Sequence, residues 1–343
     1  MTQWEVDQVL HFDFSVGGDL LVNGLAHFGF HVRGRYYAID HPRHVLGLVG
    51  VDGALEWTAA KAPVVAGVAN IPVTLDYPIY VDAFPDETLV VSNFGDARVY
   101  RIDPRAMAAR LLINGPSSGL RDAGNCVVDS EGSIWINEVT GCRIWQFDEH
   151  GRVVRVLGDG TPGFQRDPVD FTHVRFSWIY DLRRAPDGRL LVLDSGNFAL
   201  RMIDPVAQRV TVVAGTGKPG YDGDGGIATE ATFGSDPTAR FDGPISLAVD
   251  EVGNLYVGDR HNHVLRRIDA ATGLIDTIAG RPDFDGQRRN DPDERDPTKV
   301  NLPMISSLDF AGGRIFLPTD LEGDRGDLVV LRPTPADVPV RVE

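Results

Sequence analysis

The chain repeats itself with a period of about 45 to 65 residues, and such a period confines it to an architecture of stacked or circularly arranged units. Residues 242–280, DGPISLAVDEVGNLYVGDRHNHVLRRIDAATGLIDTIAG, carry the full pattern. An apolar strand over 245–249 leads through a turn at 251–254 to a second strand ending at Asp259. A polar turn at 260–263, a third strand to Asp269, a turn at 272–273 and a fourth strand over 274–279 complete the unit. Four short strands joined by tight turns make one antiparallel sheet, the blade of a propeller.

Further copies lie at 185–215, 129–158 and 84–103, with weaker ones at 33–53 and 312–333. Their second strands end at Asp40, Asn93, Glu138, Asp194, Asp259 and Thr319. The spacing predicts an all-β, six-bladed β-propeller of four-stranded antiparallel blades over residues 1–343, one domain with almost no helix. The last copy supplies only three strands. Residues 4–12 read as a spare strand, expected to pair with 327–332 and complete the sixth blade, since a lone edge invites pairing with another chain.

Bulk properties exclude several classes. A net charge of −16 repels a phosphate backbone, so no nucleic-acid partner is expected. No apolar run approaches the roughly 18 residues of a membrane span, so no membrane partner is expected. The start, MTQWEVDQVLHFDF, lacks the basic and apolar segments of a secretory signal. Two cysteines, Cys126 and Cys142, form no disulfide framework, which points to a reducing, cytoplasmic setting.

The run VAGTGKPGYDGDGGIATEATF, followed by AVDEVGNLYVGDRHNHVLRRIDAATGLIDTIAG, resembles the bacterial NHL repeat with its glycine-rich loop between blades. Residues 180–280 carry the likeness best. The resemblance implies the same propeller fold. Asp259 with Asn262, and Asp194 with Asn197, match the family's D-x-x-N turn, in which both side chains bind turn backbone. His261 and His263 match its N-H pair and read as turn residues. Asp222 and Asp224 of the DGDGG stretch can hold a cation or simply shape a turn, and the turn is the expectation. The charged segment 281–299 reads as a solvated excursion.

Aligning the six copies on the following turn puts His27, Tyr80, Asn125, Asp181, Ser246 and Ser306 at the starts of the first strands. That position is usually glycine in NHL repeats and faces the channel mouth. Six polar side chains converging on one axis need partners: water, a divalent cation in the channel, or a small polar molecule. Tyr80, Trp178 and Tyr180 add apolar wall. The alternative is a channel holding water alone.

Enzymes with a similar layout include amidating lyases, streptogramin lyases, gluconolactonases and strictosidine synthases. The streptogramin-lyase pattern sets a His at a first-strand start and a Glu about 14 residues on. Here Glu138 sits at such a strand end, but Gly124 stands where the His belongs. Asn125 and Asp181 partly match the gluconolactonase metal set. The expected function is therefore lyase- or hydrolase-type acid/base chemistry at the channel mouth, metal-assisted or not. His27 would be the base, with Glu138 and Asp181 as second acid/base or metal ligands. Tyr80, Asn125, Trp178, Tyr180, Ser246 and Ser306 would bind substrate. The competing reading is an interaction scaffold with a protein partner on one face. No cofactor follows with certainty.

Overall fold

A computed structural model describes residues 3–13, 28–41, 43–50, 54–166, 168–235, 243–282, 290–303, 305, 307–321 and 325–334. His27 and Ser306 lie outside the described residues.

The strands form six separate sheets. Blade 1 holds Phe28–Val32, Arg35–Asp40, Val45–Val49 and Leu55–Ala60. Blade 2 holds Pro78–Ala83, Leu89–Asn93, Arg98–Asp103 and Ala108–Asn114. Blade 3 holds Cys126–Val128, Ile134–Glu138, Arg143–Phe147 and Val153–Leu157. Blade 4 holds Ile179–Arg184, Leu190–Asp194, Ala199–Asp204 and Arg209–Ala214. Blade 5 holds Ser246–Val249, Leu255–Asp259, Val264–Ile268 and Ile275–Gly280. Blade 6 is built from Asp309–Ala311, Arg314–Leu321, Arg325–Pro333 and, outermost, the N-terminal strand Trp4–Asp13. The first strand of each blade touches that of the next, and the sixth touches the first, so the ring is closed. Helix among the described residues is limited to a few single turns, and none is long and apolar enough to cross a membrane.

Blades 1 and 4 exceed the expected four strands. Ala69–Pro72 runs parallel beside Leu55–Ala60, and Val169–Asp170 pairs with the outer strand of blade 4. Both come from segments between blades, and each covers an outer edge that would otherwise stay open.

Closure pairs the expected segments, with Glu5 opposite Arg332 and His11 opposite Asp327. Val6 and Val9 are buried, and Val6 N–H donates to Arg295 O at 3.0 Å. Residues 291–299 of the charged segment are exposed or half-buried, as expected of a solvated excursion, but Asn290 ties the segment to blade 6, donating to Asp327 Oδ2 through both its backbone N–H and its side chain. Just beyond the segment, Val300 and Leu302 are buried against blades 5 and 6.

One turn recurs at the top of five blades. The residue four places after each second-strand end is left-handed: His44, Ala97, Cys142, Phe198 and His263, with φ between 49° and 61°. The strand-end residue folds back to hold this turn. Asp194 accepts from Ser177 N–H at 2.7 Å, from Asn197 and from the fully buried Arg201. Burial pushes its carboxyl up to about 6, against the pull of the Arg201 charge. Asp259 accepts from Gly234 N–H at 2.9 Å and from Asn262 at 2.8 Å. Arg266 reaches Asp224 Oδ1 at 2.7 Å and Asp222 O at 3.0 Å, so the DGDGG stretch serves as a turn tied to blade 5.

The innermost strands have no sheet neighbour toward the axis, and their N–H groups need acceptors. Alternate blades supply them. Asp82 of blade 2 accepts from Val128 N–H of blade 3 at 2.8 Å. Asp181 of blade 4 accepts from Leu247 N–H of blade 5 at 2.8 Å, and Asp309 of blade 6 from His31 N–H of blade 1 at 2.7 Å. Three carboxylates thus stitch six blades in pairs around the channel.

Candidate small-molecule site at the channel mouth

Strand starts and strand ends meet at one end of the ring, because consecutive strands run antiparallel. There a cavity of about 370 Å³ opens, lined from all six blades. Ile79, Asn125, Tyr180, Asp181, Ile245 and Ser307 come from the starts of first strands. Trp178 enters just ahead of the blade 4 strand, and Phe30 and Arg183 lie deeper on inner strands. His41, Phe94, Val139 and Thr140 descend from the turns after second strands.

The backbone at the strand starts explains which side chains reach the cavity. The pairing register slips between Pro78 and Tyr80, and again between Ile179 and Asp181. Each slip is a β-bulge that adds one residue to the inner strand and re-aims its side chain. The extra residues are Ile79 and Tyr180, and both face the cavity. Ahead of each bulge stands an aromatic residue in the left-handed region, Tyr77 and Trp178, both at φ 48°. That conformation costs a bulky side chain about 1–2 kcal/mol.

The floor is a buried polar cluster. Asp181 and Arg183 sit two apart on one strand and therefore on one face. Their nearest approach, Arg183 Nε to Asp181 Oδ1, is 2.9 Å. The guanidinium also donates to Tyr80 OH at 2.8 Å and Leu308 O at 3.2 Å. It lies against two neighbouring rings, 5.1 Å from the centroid of Phe30 and 4.9 Å from that of Tyr80. Asn125 Nδ2 donates to Asp181 Oδ1. Desolvation pushes the Asp181 carboxyl above its ordinary value, opposed by Arg183 and Leu247 N–H. Arg183 is held above its ordinary value by Asp181, despite its own desolvation. Tyr80 is pushed up by burial.

Of the residues singled out in the sequence, Asn125, Trp178, Tyr180 and Asp181 meet in this cavity. Tyr80 lies behind it as the partner of Arg183. Ser246 turns away and donates to Ile305 O at 3.0 Å. Glu138 departs most from expectation. It is fully buried, and its Oε1 accepts from Arg121 N–H at 2.7 Å while Oε2 takes Trp145 Nε1–H at 3.4 Å. Trp145 stands seven residues after Glu138, as Arg201 stands seven after Asp194, so Glu138 ties the loop before its blade to the third strand as Asp194 does. Gly141 leaves the room: a Cβ there would lie 2.1 Å from the Glu138 carboxylate. Glu138→Ala is expected to cost about 1–3 kcal/mol through the unsatisfied Arg121 N–H, read in a denaturant melt. It should leave ligand affinity at the mouth unchanged, and a tenfold loss of affinity would restore Glu138 to the site.

Arg183, His41 and Ser307 are among the lining residues that escaped the sequence reading. Arg183 was readable, since D-L-R on a strand puts both charges on one face. His41 follows a second-strand end, and in blades 1 to 3 that next residue faces the mouth. Its Nδ1 lies 3.1 Å from Pro78 O. A carbonyl only accepts, so Nδ1 carries the proton, and Nε2 is the basic nitrogen of the neutral ring. Ser307 is buried, and its hydroxyl has no hydrogen-bond partner among the described residues.

A divalent cation finds no fitting set here. Among the described residues no three His, Cys, Asp or Glu side chains cluster as metal ligands. Both Asp181 oxygens already take donors, one of them a cation.

No family model matches the chain. A 126-residue stretch is 37% identical to Protein SUPPRESSOR OF QUENCHING 1, chloroplastic, of Arabidopsis thaliana, covering 35% of this chain and 11% of that protein. Among solved structures, an auxiliary nutrient binding protein from Bacteroides thetaiotaomicron superposes with a TM-score of 0.63 at 13% identity, over 97% of this chain and 77% of that one. Virginiamycin B lyase from Staphylococcus aureus, solved with quinupristin, superposes at 0.55 with 12% identity, over 97% and 100%. At such identities the likeness speaks for the fold alone: this is a six-bladed β-propeller whose structural neighbours include both enzymes and binding proteins.

Proposed function

We propose that this NHL-type propeller takes a small amphiphilic molecule into its channel mouth and acts on it by acid/base chemistry of the lyase or hydrolase kind. The observation that carries this reading is the cavity itself. Aromatic and aliphatic walls surround a buried polar floor on which the Ser307 hydroxyl has no partner among the described residues. Buried polar groups are normally satisfied, and a ligand group would satisfy this one. Because Asp181 and Arg183 neutralise each other, the ligand needs a hydrogen-bonding group rather than a full charge. Trp178, Tyr180 and Phe94 would flank its apolar body. His41 is the basic group on the lining and the natural proton acceptor, in the role first given to His27.

A non-catalytic binding protein is the second reading. It is favoured by the Asp181 carboxylate, whose oxygens are taken up by Asn125, Leu247 N–H and Arg183. Two measurements separate the readings. The protein is incubated with a small-molecule extract, and the mixture is followed by mass spectrometry for species retained and species consumed. Acid/base turnover predicts consumption of one component, abolished in His41→Gln while that component is still retained. Retention without consumption would favour the binding protein. Trp178→Ala is expected to weaken retention at least tenfold in either case. Neither retention nor consumption would leave the scaffold reading.

A further inference from the structure

A second cavity lies at the opposite end of the ring, between blades 1 and 2. The hairpin joining the first two strands of blade 1 turns at Arg33 and Gly34, with φ 50° and 75°. This two-residue turn is at the far end of the inner strand from the channel mouth. Beside it opens a groove of about 350 Å³, floored by Tyr37, Trp57 and Leu89, all buried. Its rim carries Arg33, Arg35 and Arg105 with Glu56 and Glu87.

Arg105 is paired with Glu87. No carboxylate among the described residues lies within ion-pair distance of Arg33 or Arg35. Arg33 donates to Pro85 O at 3.4 Å, and Arg35 stands beside the Tyr37 hydroxyl, where its charge opposes the upward push of burial on that phenol. The rim thus carries three arginines against two glutamates, Glu56 and Glu87, an excess of one positive charge on a chain whose net charge is −16, and neither Arg33 nor Arg35 makes an ion pair with a described carboxylate. They overhang an aromatic floor in which Tyr37 and Trp57 lie 6.1 Å apart.

We propose that this groove is a second ligand site, for a small organic anion with a flat apolar body. The body packs on Trp57 and Leu89, and the anionic group accepts from Arg33 and Arg35. Guanidinium groups suit this role because their planar donors match carboxylate and sulfonate oxygens in pairs. The site shares no residue with the channel mouth and does not depend on the reading given for it.

Naphthalene-2-sulfonate and its uncharged analogue naphthalene-2-methanol are the probes, titrated calorimetrically into the full chain. The sulfonate should bind saturably, one per chain, at least tenfold more tightly than the alcohol. Its affinity should fall as salt is raised, because exposed charges are screened. Arg33→Gln with Arg35→Gln should reduce sulfonate affinity at least tenfold at an unchanged melting temperature. If the double variant folds poorly, each single variant must weaken binding by itself. The sulfonate should also change Trp57 fluorescence, a response absent in Trp57→Phe. Equal binding of the two probes, full affinity in the arginine variants, no saturable binding, or an unchanged response in Trp57→Phe would each overturn the proposal.

Discussion

Deleting residues 1–13 is expected to unfold the protein at ordinary temperature, because the removed segment is the outer strand of blade 6. The strand Trp4–Asp13 pairs along Arg325–Pro333 for nearly its whole length. Burying Val6 and Val9 contributes about 1.5–3 kcal/mol each. The lost ladder adds to this, as do the Val6 N–H to Arg295 O bond and the ion pairs of Arg332 with Glu5 and Asp7 and of Arg314 with Asp7. The exposed ion pairs count for little. The apolar and backbone contributions alone are comparable to the 5–15 kcal/mol that holds an ordinary domain together. The truncated chain would also present an open edge at Arg325–Pro333 and tend to associate. Circular dichroism and size-exclusion chromatography read both effects. Adding a peptide of residues 1–13 should recover part of the folded signal. A truncated protein that melts within a few degrees of the full chain would mean that closure does not rest on this strand.

The second large effect is expected at Asp181. Replacing it with alanine leaves the Arg183 guanidinium buried against Phe30 and Tyr80 without its counter-ion. Breaking a buried pair in this way costs about 3–5 kcal/mol, much more than an exposed pair would. Leu247 N–H loses its acceptor in the same substitution. Adding Arg183→Met should restore much of the stability, because an apolar side chain of similar length removes the stranded charge. The double-mutant cycle should therefore show strong non-additivity in urea midpoints. Additive effects would show that the two side chains act independently, and the account of the cavity floor would fail. Both single variants should also weaken ligand retention at the mouth, since Asn125 is oriented through Asp181.

The six blades, their order, the closing strand and the segment it pairs with were all legible in the sequence. Each follows from local rules: strand alternation, turn residues at fixed offsets, and a spare strand at one end matching a missing strand at the other. The D-x-x-N turns were legible for the same reason, since Asp194 with Asn197 and Asp259 with Asn262 act within one turn. The two extra strands were not, because Ala69–Pro72 and Val169–Asp170 are held by neighbours rather than by any pattern of their own.

The cavity lining was legible only in part. Asn125, Trp178, Tyr180 and Asp181 were found because strand starts must converge on the axis. Glu138 was misplaced because a strand's end is known from sequence but the direction of its last side chain is not. The carboxylate turned back to Arg121 N–H, and the following residue took the place at the mouth. Tyr180 and Ile79 face the cavity through bulges, which leave no mark in an alternation of side chains. Sequence alone therefore determined the number, order and closure of the blades, since these depend on periods and turns read within about 40 residues. Only the tertiary structure decided the site. Arg183 meets Tyr80 across 103 positions of chain, and no local pattern specifies which side chains from different blades share a volume.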